Sequence, residues 1–235
     1  MESEQNKQAT RIQTSILSDA ERKALNWLAA RQPRWVTSDM LTWFGTFGAL
    51  LICLGFALAW YDYRWIWLSI AGLVIHWYGD SLDGTLARYR KTQRPTYGYY
   101  LDHTMDVVTE GLMFIGFGLS PYARFDLSMV VFVLYLALTL NVSINAHLKS
   151  EFKLTYAKLG PTEFRLILVI FNLVLLFVRP FRELEVHVNI LSRSGDLHCL
   201  DVFGLLVIVV LSLMYVVTVI NDARGYAKID PPKKF

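Results

Sequence analysis

Two short runs in this chain concentrate acidic residues at a spacing that suits metal chemistry. The first reads Asp80-Ser81-Leu82-Asp83-Gly84-Thr85-Leu86-Ala87-Arg88, and the second Gly98-Tyr99-Tyr100-Leu101-Asp102-His103-Thr104-Met105-Asp106. At about 100° per residue, Asp80 and Asp83 lie ~60° apart on a helix and Asp102 and Asp106 ~40° apart, so each pair presents both carboxylates on one face. Two adjacent helices would then bring four carboxylates together. Ionised at that spacing, the four need about four positive charges, or some of them must stay protonated. Two divalent cations supply those charges, and oxygen-only ligands select hard ions, Mg²⁺ first and Mn²⁺ second. Metals ~4 Å apart suit the clamping of a phosphate during in-line displacement. Gly84, Ala87 and Gly98 fall on or near the acidic faces, where small residues let a bulky ligand approach the backbone. Arg88 adds a bidentate donor for a phosphate oxygen.

The elements that must position these groups are membrane helices. Of 235 residues, 54% are hydrophobic and only 18% charged, whereas a soluble domain carries about a quarter charged residues. Six runs are candidates to cross ~30 Å of hydrocarbon: Met40 to Trp60, about Trp65 to Tyr78, Tyr99 to Ser120, Leu127 to about Ala146, Phe164 to Val178, and Val202 to Ile220. The second and fifth are short and must continue as helix into polar flanks. Lys and Arg in alternate connecting segments number eighteen against five, which places both termini and the loop between the two acidic runs in the cytosol. The expected fold is an all-α integral membrane protein: a cytosolic segment 1–39, a six-helix catalytic domain 40–220 and a cytosolic tail 221–235.

Before the first span, Ser18-Asp19-Ala20-Glu21 has a capping-box pattern and should start a helix running to about Arg31, ahead of Pro33. Its apolar and cationic residues suit the cytosolic interface or a connector packed on the protein. The first sixteen residues are polar, lack the apolar core of a secretory signal, and read as a flexible leader. Cys53 and Cys199 lie in or beside apolar runs without a metal-ligand spacing and are expected as buried thiols. A net charge of +3, dispersed along the chain, gives no case for a nucleic-acid partner.

The pattern D-x-x-D-G-x-x-A-R followed by G-x-x-x-D-x-x-x-D resembles the signature of the CDP-alcohol phosphotransferases, membrane enzymes of phospholipid head-group synthesis. All eight fixed positions are present: Asp80, Asp83, Gly84, Ala87, Arg88, Gly98, Asp102 and Asp106. The spacer from Arg88 to Gly98 holds nine residues where eight is commonest. The resemblance implies that Asp80, Asp83 and Asp102 bind metal and, through it, the CDP pyrophosphate. It implies that Asp106 shares the second metal and acts as general base, and that Gly84, Ala87 and Gly98 border the cytidine. The implied partners are a CDP-alcohol and an alcohol acceptor, at least one of them a lipid. CDP-diacylglycerol is favoured as donor by chain length, and CDP-choline or CDP-ethanolamine with diacylglycerol by His103, whose D-H pair resembles the eukaryotic-type enzymes. A multi-pass protein of the bacterial inner membrane, with its site on the cytosolic side and a possible homodimeric state, is the expected setting.

Blander readings stand beside each of these. The acids could be solvated helix ends, the ligands of a cation carrier or channel, or relics in a silent lipid-binding scaffold. Transport does not call for the interleaved Gly, Ala and Arg, and an intact Asp106 argues against the scaffold. His103 is either a head-group contact or, more plainly, a histidine satisfied by nearby backbone, and His76 reads as structural. Tyr97, Tyr99 and Tyr100 suit a base or head group, or an interfacial aromatic belt. Arg90, Lys91 and Arg94, or Lys149, Lys153 and Lys158, could hold an anionic acceptor or only reflect the positive-inside bias. Thr162-Glu163-Phe164-Arg165 reads as an interfacial cap with an internal ion pair, or as a polar face toward the cavity.

Overall fold

A computed structural model describes residues 10–12, 18–149, 151–153, 161–190 and 193–232. Helices run Ser18–Arg31 (α1), Ser38–Leu58 (α2), Ile66–Arg90 (α3), Pro95–Gly118 (α4), Phe125–Lys149 (α5), Pro161–Phe177 (α6), Arg179–Arg182 (α7) and Cys199–Ile229 (α8). The six apolar runs correspond to α2, α3, α4, α5, α6 and α8. α3 continues through its acids to Arg90 and α6 starts at Pro161, so both short runs do extend into polar flanks. Among the described residues, three stretches are long and apolar enough to cross a bilayer: Ser38–Leu58, Phe125–Asn145 and Cys199–Ile229. Phe164–Phe177 is a shorter apolar helix.

Two small sheets correct the all-α expectation. Glu185–Ile190 (β3) pairs antiparallel with Arg193–His198 (β4), and Thr10–Ile12 (β1) pairs parallel with Glu151–Lys153 (β2). β1 falls within the stretch read as a leader. The hairpin has a sequence signal, since Val186, Val188 and Ile190 alternate with Glu185, His187 and Asn189, the period of a strand. At six residues the strand is far shorter than an apolar run of membrane length.

α2 and α3 form the tightest seam. A Cβ at Gly48 would lie 2.5 Å from the His76 backbone nitrogen, one at Gly55 2.5 Å from that of Ser69, and one at Gly79 2.3 Å from that of Gly45. Backbone thus meets backbone, the approach that small residues allow where lipid supplies no hydrophobic drive between helices. α4 joins α2 the same way, for a Cβ at Gly116 would lie 2.6 Å from Cys53 Cα. Cys53 and Cys199 are both buried and unbridged.

Two apolar clusters close the ends of this framework. Ile52, Phe56, Ile66, Leu73, Leu175 and Cys199 join α2, α3, α6 and α8 at one end. At the other, Leu25 and Ala29 of α1 pack with Val36, Leu41, Leu82 and Leu86. α1 is therefore docked on the protein by one face. Its other face stays open, with Trp27 56% exposed and the Arg31 guanidinium 3.8 Å above the ring. Arg90 locks the turn between α1 and α2, donating to the carbonyls of Gln32, Pro33 and Val36.

Candidate active site

α2 packs against both α3 and α4, and the acids meet across it. A cavity between the three helices is lined by Thr42 and Thr46 of α2, His76 and Asp80 of α3, and Asp102 and Asp106 of α4. One carboxylate oxygen each from Asp80, Asp102 and Asp106 lies within 4.8 Å of the others. This all-oxygen, triply acidic donor set suits a hard divalent cation. Sequence spacing anticipated the trio but not the contribution of α2, whose Thr42 and Thr46 carry no motif.

Asp83 is placed differently from the other three. It is 8% exposed, and its Oδ2 accepts a hydrogen bond from Thr42 Oγ1 at 2.7 Å. Its Oδ1 faces the Gly84 N–H, and its backbone carbonyl accepts from Ser38 Oγ at 3.0 Å. The start of α2 thus holds Asp83 beside the trio, while its oxygens stay outside the 4.8 Å group.

The trio also has a cationic neighbour from a distant helix. Arg165 of α6 forms an ion pair with Asp80 and donates to Ser81 Oγ at 3.2 Å. It also approaches His76 Nε2 at 3.4 Å. A guanidinium only donates, so Nε2 is the accepting nitrogen, and Nδ1 is then the protonated one that donates to the Gly45 carbonyl at 3.1 Å. His76 is buried, lines the cavity and lies against Arg165. Of the two readings of Thr162–Arg165, the polar face toward the cavity is the one the described side chains bear on, since Arg165 pairs there with Asp80. Glu163, which the internal pair would need, lies outside the described side chains.

The remaining candidates sort by face. His103 lies with Tyr99, Tyr100 and Val107 along another groove on α4. Its ring is 4.0 Å from that of Tyr99, and its Nδ1 is 3.1 Å from the Tyr99 carbonyl. Arg88 reaches Thr85 Oγ1 at 3.0 Å. A Cβ at Gly84 would meet only the tip of Arg88 within 4 Å, and one at Gly98 would meet nothing. Ala87 sits on the same last turns of α3. Arg94 pairs with Asp39 and stacks on Tyr97 at 4.0 Å, and Arg90 is spent on backbone carbonyls. Lys91 ends α3 in a left-handed turn with φ 55°, closed by the Thr92 N–H on the Ala87 carbonyl at 3.0 Å. The side chains of Lys149 and Lys153, and Lys158 as a whole, lie outside the described residues.

The sequence profile of the CDP-alcohol phosphatidyltransferase family matches residues 35–220, from just before α2 to well along α8. The chain belongs to this family. Every fixed position of the CDP-alcohol phosphatidyltransferase signature lies on α3 or α4, and the nine-residue spacer forms the end of α3, the turn at Lys91 and the start of α4. A phosphatidylinositol phosphate synthase of Cutibacterium acnes is 34% identical over 84 residues, which are 36% of this chain and 38% of that protein. The match therefore spans under two fifths of the relative's own length. α1 precedes the residues matched to the family, yet it packs against the same stretch of α3 that carries the acids.

Proposed function

We propose that this CDP-alcohol phosphatidyltransferase moves a substituted phosphate from a CDP-alcohol to the hydroxyl of a second alcohol, releasing CMP, at a divalent-cation centre. The convergence of Asp80, Asp102 and Asp106 oxygens within 4.8 Å carries this reading. Two Mg²⁺ or Mn²⁺ ions, held by these residues and Asp83, would supply charge stabilisation to the transferring phosphoryl group. Asp106 takes the proton of the acceptor hydroxyl. The resulting alkoxide attacks the phosphorus that bears the donor's alcohol, and the electron pair of the broken P–O bond leaves with CMP. Gly84, Ala87, Gly98 and Arg88 flank the nucleotide and its phosphates. Among the described residues, packing gives no reason for glycine at 98 and little at 84, in contrast to the seam glycines. Close approach of a ligand supplies one.

CDP-diacylglycerol is the donor we assign. The relative's name describes a synthase of a phosphatidyl lipid, whereas His103, which favoured CDP-choline or CDP-ethanolamine, lines another groove of α4 with its Nδ1 3.8 Å from an Asp102 carboxylate oxygen. The test is mass spectrometry of lipid products after purified protein receives each CDP donor with a mixture of acceptors. A phosphatidyl product from CDP-diacylglycerol is expected. Product only from CDP-choline or CDP-ethanolamine with diacylglycerol would reverse the donor assignment, and no product from any donor would defeat the transfer reading.

Six crossing helices, with the turn between α3 and α4 on the cytosolic face, follow from the eighteen-to-five asymmetry in basic residues. Single cysteines at Arg94 and Arg124, in a chain lacking Cys53 and Cys199, should label from opposite sides of the membrane. Labelling from one side would refute six crossings.

A further inference from the structure

Glu21 lies on α1, before the family's matched residues, and joins two helices of the site. Its Oε1 accepts hydrogen bonds from Trp77 Nε1 of α3, at 3.1 Å, and from Thr162 Oγ1 of α6. Trp77 is three residues before Asp80 and Thr162 three before Arg165, so each contact sits about one helical turn from one member of the Asp80–Arg165 pair. The joint has a firm base: Leu25 and Ala29 of α1 are buried against Leu82 and Leu86, and Gln32 reaches Tyr78 Oη. The capping-box pattern in the sequence predicts a different use of Glu21, in the first turn of its own helix.

We propose that Glu21 is a positioning residue for the acidic centre, holding the start of α6 against α3 so that Arg165 stays on Asp80. The proposal rests on the reading of Asp80, Asp102 and Asp106 as a divalent-cation centre. Arg165 does two things there. Its guanidinium orients the Asp80 carboxylate, and its charge competes with a divalent cation for that carboxylate. Releasing α6 therefore has two opposite consequences. Metal binds more tightly because the competing cation withdraws, and turnover falls because Asp80 loses its orientation. Misplacement by ~1 Å is enough to lose about 10²-fold in rate. A general weakening of the fold would lower both quantities together.

The experiment measures Mn²⁺ affinity by electron paramagnetic resonance, with the metal alone, and CMP release from CDP-diacylglycerol, on full-length protein in one detergent. Glu21→Ala and Thr162→Val are each expected to bind Mn²⁺ several-fold more tightly and to turn over about 10- to 100-fold more slowly. Glu21→Gln retains an accepting oxygen and should stay within about threefold of the native protein in both. In an Arg165→Gln background, Glu21→Ala should add little to either change, because its effect runs through Arg165. Native values for both Glu21→Ala and Thr162→Val would overturn the proposal. So would a lowered melting temperature with unchanged Mn²⁺ affinity and unchanged turnover per folded protein, since that is a structural tie alone. If the native protein binds no Mn²⁺, the cation centre itself fails and the proposal falls with it; native binding with insensitive variants refutes the Glu21 joint alone.

Discussion

Asp106→Asn is expected to lower turnover by about 10²- to 10⁴-fold, the usual cost of losing a general base, while CDP-alcohol affinity stays within a few-fold of native. The asparagine keeps the shape of the side chain and one oxygen toward the cluster, but it cannot take the acceptor's proton. Asp80→Asn should behave differently. Asp80 is both a member of the carboxylate group and an ion-pair partner of Arg165, so its neutralisation breaks that pair and leaves the cluster one anion short. Donor affinity and turnover should then fall together. Calorimetry for donor binding and CMP release for turnover, on both variants in one detergent, separate the two. If Asp106→Asn turns over at the native rate, or binds donor as poorly as Asp80→Asn, Asp106 is not the base.

Gly79→Val should damage the protein through its backbone rather than its chemistry. A Cβ there would lie 2.3 Å from the Gly45 nitrogen and 2.5 Å from the Leu41 carbonyl oxygen, and none of these atoms can rotate away. α2 and α3 must part, with the loss of the contacts around Leu41, Leu82 and Leu86. Overpacking of this kind typically costs about 1–3 kcal/mol, and a clash with main chain belongs at the upper end. Gly79 immediately precedes Asp80, so the protein that does fold carries a displaced carboxylate and should lose about 10²-fold in turnover. Gly204→Ala is the control, for its Cβ would meet nothing within 4 Å and a helical Gly→Ala change is neutral or stabilising by about 0.4–1 kcal/mol. Thermal unfolding in detergent reads both, and a native melting temperature for Gly79→Val would show that the α2–α3 seam is looser than described.

What could be read from the sequence was what depends on local spacing. The acids of α3 and α4 announce themselves because carboxylates three and four residues apart share a helix face, and because charge in an apolar chain stands out. The extent of α1 follows from its caps and the presence of six long helices from apolar length, but not their ends, since α3 runs on from Tyr78 to Arg90 and α8 from Ile220 to Ile229. The partners of those acids are a different matter. Thr42 is 41 residues from Asp83 and Arg165 is 85 from Asp80, and nothing in the periodicity of α2 or α6 relates them. Glu21 shows the same limit, with a local capping pattern and a long-range use. The seam glycines lie in plain view as Gly45, Gly48, Gly55, Gly72 and Gly79, but a glycine in an apolar run does not tell which helix presses on it. The β3 strand shows in the alternation of Val186 and Val188 with Glu185 and His187, whereas β4, Arg193-Ser194-Gly195-Asp196-Leu197-His198, carries no such period.

The proposed divalent-cation centre at Asp80, Asp102 and Asp106 is tested most directly by CMP release from CDP-diacylglycerol in the presence of a chelator, followed by titration with Mg²⁺ or Mn²⁺. Three clustered carboxylates and Asp83, with Arg165 on Asp80, concentrate negative charge to which a pyrophosphate would add more, and on the proposed reading divalent cations offset it. Turnover is predicted to fall to background with the chelator and to return as either ion is restored. Full turnover in metal-free buffer would contradict it.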